Sequence, residues 1–202
     1  MMRLRVVAIL LIACVGCESP PVRVRALPAP AIESPVCNLP QALHQRNEVG
    51  PLGQGSCVHA SLVNHLRWLN EFVLAERWWK TYHDGEYASR LMQRLDAAGV
   101  DYAFTEKADP RFLDWCTQTR RGAILWWKPS HCCTFEGWTR QPDGKTYAVI
   151  LDNNRPGTWE LTEREQFVRL WAGYGGFALA AIGTPPPTRP WRSFEIESRN
   201  YE

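Results

Sequence analysis

This chain carries almost no surplus of either charge. It has 23 Lys and Arg against 21 Asp and Glu, a formal net charge of +2 over 202 residues. A non-specific nucleic-acid binder needs a clear cationic excess, so the balance excludes that class. Long hydrophobic runs are lacking too. The apolar stretch at residues 6–13 spans 8 residues, too short to cross a membrane as a helix. There is no internal repeat, which sets aside solenoids and propellers. The seven Cys follow no regular spacing, so no disulfide framework can be read from them. What is present is an ordinary globular balance, 45% hydrophobic and 22% charged, which argues against disorder. The length suits one domain with tails. Ten Trp is a high content, and all lie between Trp68 and Trp191, where the core is expected.

The N-terminus has the layout of a secretory signal. Met1-Met2-Arg3-Leu4-Arg5 is basic, residues 6–13 are apolar, and Cys14, Gly16 and Cys17 follow. Leu11-Ile12-Ala13-Cys14 resembles a bacterial lipobox, which implies a lipid-modified Cys14, with Cys17 as the second candidate. Cleavage before Cys14 removes Arg3 and Arg5 and leaves 21 basic against 21 acidic residues. The expected location is the cell envelope, lipid-anchored or periplasmic. Residues 14–43 are rich in proline and read as a stiff tether. Residues 44–183 form the expected compact domain. Residues 184–202, opened by Pro185-Pro186-Pro187, read as a loose tail.

Within the domain the pattern runs from helices to strands. Val58, Leu62, Leu66 and Leu69 recur at helical spacing behind Ser56 as N-cap. Residues 71–82 and 86–98 read as further helices, 101–104 as a short strand, and 110–119 as a helix opened by Asp109-Pro110. Strands are expected at 123–127, 131–138, 146–151 and 176–182, with Pro142-Asp143-Gly144 as a turn. Residues 162–170, within the longer segment 159–174, read as a packed helix. Helices first and an antiparallel sheet after make an α+β fold.

Three segments carry chemistry. Gly53-Gln54-Gly55-Ser56-Cys57 places a thiol in the first turn of an amphipathic helix. Aligned dipoles and unpaired N–H groups there favour a thiolate, and the same groups can bind an oxyanion. His131 opens a strand 74 residues later. Asp152-Asn153-Asn154 ends the next strand. Strands folded about a turn near Pro142 and Asp143 pair positions summing to about 284 or 285. The first sum puts Asn153 on the side of His131; the second puts Asp152 and Asn154 there. A turn centred on Asp143-Gly144 would spoil both. Either partner could orient the imidazole for a neighbouring nucleophile.

With these residues in this order, residues 50–183 resemble the papain-like cysteine peptidase superfamily. The resemblance implies Cys57 as nucleophile, His131 as base and acid, Asn153 or Asp152 as its orienting partner, and Gln54 as an oxyanion donor. The match departs from papain in two places: Gln54 is only three residues before Cys57, and Val58 stands where papain has an aromatic residue. The short domain is more similar to compact bacterial members, the bacteriocin-processing peptidases and the CHAP-type cell-wall amidases. Glu136 could belong to the CHAP pattern. The implied substrate is a peptide or peptidoglycan, and no cofactor is implied. A catalytically inactive envelope binding lipoprotein is the alternative of another class. A zinc site from Cys57, His59, His131, Cys132 and Cys133 is disfavoured, because Cys132 and Cys133 should face opposite sides of a strand. His65 and His83 carry no expected chemistry.

Overall fold

The structure of the chain, a computed structural model, describes residues 35–49 and 55–186. Cys14, Cys17, Gln54, the whole signal and the tail from residue 187 lie outside the described residues. A 3-10 turn at Gln41–Leu43 precedes the regular elements. They are α1 (Cys57–Trp68), α2 (Phe72–Thr81), α3 (Ala88–Ala97), β1 (Tyr102–Thr105) and α4 (Pro110–Gln118). Then come β2 (Ala123–Trp126), β3 (Cys132–Arg140), β4 (Thr146–Leu151), β5 (Trp159–Glu163), α5 (Arg164–Gly173) and β6 (Ala178–Ala181). The α4 start shows why the chain turns helical there. The Asp109 side chain accepts from the Arg111 N–H at 3.0 Å, and Pro110 occupies the first turn, where no donor is needed.

The six strands form one antiparallel sheet in the order β1-β6-β2-β3-β4-β5. Both faces are covered. Val58, Leu62, Val63 and Leu66 of α1, with Leu91 and Leu95 of α3, pack on Ile124, Cys132 and Leu179. Leu113 of α4, with Phe167 and Trp171 of α5, packs on Leu125, Cys133, Phe135 and Ile150. Consecutive residues of β2 and β3 therefore enter different cores, and this is why β3 is buried at each of its first six positions. Cys132 and Cys133 are separated by the sheet, as their adjacency on a strand requires.

Two segments differ from the sequence reading. Residues 159–163 are not helical: they form β5, pairing Leu151 with Trp159 and Tyr147 with Glu163. The strand supplies hydrogen bonds to the β4 edge, a tertiary demand that outweighs a short helical pattern. The packed chain also begins earlier than residue 44. Cys37 and Leu39 are each 2% exposed, against Trp68, Leu69 and Ala181. Residues 37 and 39 therefore belong to the body, although the proline content suggested a tether.

The β3–β4 register is set by a bulge. The turn closes through Gln141 N–H to Lys145 O and Gly144 N–H to Gln141 O, each 2.9 Å, so it centres on Asp143. Pairs near it, from Arg140 with Thr146 to Gly137 with Val149, sum to 286. Beyond the break between Phe135 and Gly137, Phe135 pairs with Ile150 and Thr134 with Leu151, a sum of 285. The extra residue is Glu136. Carried past the strand ends at the same sum, this register sets His131 on the face of Asp152 and Asn154, and both of their side chains reach its Nε2, at 2.8 and 3.4 Å.

Candidate active site

The site lies at one end of the sheet, where the start of α1 meets the start of β3 and the end of β4. Cys57 is the first residue of α1 and is 8% exposed. Ser56 is the N-cap residue, but its hydroxyl does not cap the helix. It donates toward Asn47 Oδ1 and Glu48 O, each 3.1 Å, and accepts from Glu48 N–H at 2.9 Å. The first-turn N–H groups of α1 are therefore left uncapped by Ser56, at the positive end of the helix dipole.

His131 joins two partners. Its Nε2 donates to Asp152 Oδ1 at 2.8 Å, and the Cys57 side chain lies close enough to favour the charged ring as well. Burial works against the charged imidazole, but Asp152 and Cys57 outweigh it and raise His131 to about 9. Burial also works against the Asp152 carboxylate, and it is outweighed in turn. The bond from His131, the Asn154 N–H at 2.9 Å and the Lys128 ammonium hold this carboxyl well below the usual range. At neutral pH the pair is imidazolium and carboxylate.

Asn153, the other partner expected for His131, points elsewhere. It is fully buried, and its Nδ2 lies 2.9 Å from Cys57 O, 2.8 Å from Ser61 Oγ and 2.8 Å from Cys132 O. It ties the α1 start to β3. The bulge at Glu136 is the reason, since an unbroken 286 register would have turned Asn153 toward the side of His131. Glu136 itself is 2% exposed at that bulge. Its carbonyl accepts from Cys37 N–H at 3.1 Å, and burial pushes its carboxyl well up. It sits five positions along the chain from His131.

The structure adds residues that the sequence did not single out. Lys128 Nζ lies 3.3 Å from Asp152 Oδ2 and 2.7 Å from Glu160 Oε1. Asn47 N–H bonds Asn153 O at 2.9 Å, and Asn47 Nδ2 bonds Asn154 Oδ1 at 2.8 Å. No motif marks Asn47, Lys128 or Glu160, and each reaches the site only through the fold. His59 is outside it: buried, accepting from Trp78 Nε1 at 3.1 Å and lowered by burial to about 4. His65 is likewise buried, accepts from Ala181 N–H at 2.9 Å and is lowered by burial to about 4.

Among the described residues, His131, Cys133 and Asp152 could together hold a metal, their donor atoms lying within 4.8 Å of one another. Burial pushes the Cys133 thiol well up, and the Lys128 ammonium faces the outer oxygen of Asp152. A cation there would have to displace the thiol proton and sit beside another cation.

No family model matches the chain, and the searches of curated proteins and of solved structures returned no significant match.

Proposed function

We propose that this chain is a papain-like thiol hydrolase of amide bonds, exported and held at the bacterial cell envelope by a lipid on Cys14. The observation that carries the reading is the His131–Asp152 hydrogen bond, 2.8 Å long, beside Cys57 at the first turn of α1. Cys57 supplies the thiolate, balanced by the His131 imidazolium. The sulfur attacks the carbonyl carbon of the amide, and the oxygen takes the negative charge. The backbone N–H of Cys57, with Gln54, binds that oxyanion. His131 gives its proton to the departing amine, and the C–N bond breaks to leave a thioester. Water then adds, with His131 taking its proton, and the acid and the free thiol are released. Asp152 keeps the ring turned toward the sulfur. No step draws on a metal or organic cofactor.

A second reading, a CHAP-like peptidoglycan amidase or endopeptidase, is favoured by one observation. The partner of His131 is an acid, Asp152, followed by Asn153, an order that resembles the CHAP pattern. Digestion of purified muropeptides separates this reading from a protease, which should cut a denatured protein instead. An inactive binding module should do neither.

The direct test is iodoacetamide alkylation of Cys57 in the full chain against pH. Rapid modification well below the free-thiol pKa of about 8.5, lost in His131→Ala, is expected of an activated thiolate. Modification rising only near that value would overturn the hydrolase. Cys57→Ala should abolish cleavage of whichever substrate is found.

A further inference from the structure

The contacts at the site do not end at Asp152. Its inner oxygen, Oδ1, serves His131 and the Asn154 N–H, while its outer oxygen, Oδ2, faces Lys128 Nζ at 3.3 Å. Lys128 is in turn seated by Glu160 Oε1 at 2.7 Å, and Glu160 Oε2 accepts from Trp127 Nε1 at 3.4 Å. Lys128 and His131 belong to the same β2–β3 connection, closed by Trp127 N–H to His131 O at 2.9 Å and His131 N–H to Lys128 O at 3.3 Å. That connection holds Lys128 at φ +72° and Ser130 at φ +56°, conformations that non-glycine residues rarely adopt. Such strain persists only where the surroundings over-determine it, and it tends to gather at functional sites.

We propose that Lys128, seated by Glu160, is a positioning residue that partly neutralises Asp152 and so moderates how tightly His131 holds its proton. The proposal rests on the reading of Cys57 and His131 as a reacting pair. An imidazole beside an unopposed buried carboxylate would keep its proton too firmly to release it to a leaving amine, and acid–base catalysis works best near the operating pH. Lys128 counters that pull. Because Asn154 N–H and His131 still hold Oδ1, removing the ammonium alters charge more than geometry. The titratable and charged groups facing the pair are Cys57 from α1, Cys133 from β3, Lys128 from the turn and Glu160 from β5.

The test is a 1H–13C NMR titration of the His131 Cε1 signal in the full chain, identified by its loss in His131→Gln. Lys128→Met should raise the midpoint by about half a unit to one unit. Glu160→Gln should lower it, since the ammonium then leans on Asp152 alone. Lys128→Arg should restore the native midpoint. Lys145→Met, whose ammonium pairs with Glu163 at 3.7 Å by the far end of β4, should leave it unchanged. A general loosening of the fold would not produce opposite shifts from Lys128→Met and Glu160→Gln. Midpoints that stay put, or that move in one direction for both, would overturn the role of Lys128. Slow Cys57 alkylation in the native chain would overturn the hydrolase reading instead, whatever the midpoints do.

Discussion

At the scale of single residues, Asp152 and Asn153 are chain neighbours with opposite tasks. Asp152 accepts from His131, while Asn153 spends its amide on the backbone of Cys57 and Cys132 and on Ser61. Truncating Asn153 would take one donor each from the buried Cys57 and Cys132 carbonyls, the second of which keeps Ser61 Oγ at 3.1 Å, and would open a small void. Asn153→Ala should therefore cost about 2–4 kcal/mol in urea unfolding. It should also slow Cys57 alkylation, because the start of α1 loses its tie to β3. The sequence already placed Cys57, His131 and the Asp152-Asn153 pair among its few chemistry-bearing positions. It could not assign the partner, because side-chain direction in a strand flips with each residue and the register was open.

At the scale of elements, the bulge in β3 decides that direction. Its formation is tied to Gly137, which sits at φ +127°, and an added Cβ there would meet Val36 Cγ2 at 2.6 Å. Gly137→Ala should destabilise the chain by about 1–3 kcal/mol through strain and that clash, read as a lower urea midpoint. The helices were legible because their apolar positions recur every three or four residues and Asp109-Pro110 marks a start. Residues 159–163 were not. Trp159-Glu160-Leu161-Thr162-Glu163 is strand only because β4 offers an edge to pair with, a demand made by residues distant in sequence.

At the scale of the whole molecule, the histidines set the pH range of stability. His59 and His65 are lowered from the usual 6.5 to about 4, chiefly by burial. As pH falls from 6.5 to 4 the unfolded chain takes up protons that the folded chain refuses, so stability declines. His131 acts in the opposite sense. Raised to about 9, its contribution is complete below 6.5 and is lost as pH rises from there through 9. Thermal unfolding should therefore show its highest Tm near pH 6.5 and decline on both sides. His131→Gln should flatten the alkaline decline, and His65→Gln should flatten the acid one.

Composition and patterning were enough for the α+β class, for most helix and strand positions, and for singling out His131 and Asp152, which the fold brings together. Those properties rest on local periodicity and on side-chain type, which are written along the chain. The partner of His131, the anchoring role of Asn153, the edge strand β5 and the ammonium beside Asp152 depend on where distant segments meet. One inserted residue, Glu136, moves the β3–β4 sum from 286 to 285 and exchanges the faces of Asp152 and Asn153. No local propensity encodes that step, because it follows from a turn, a bulge and two packed faces being satisfied at once.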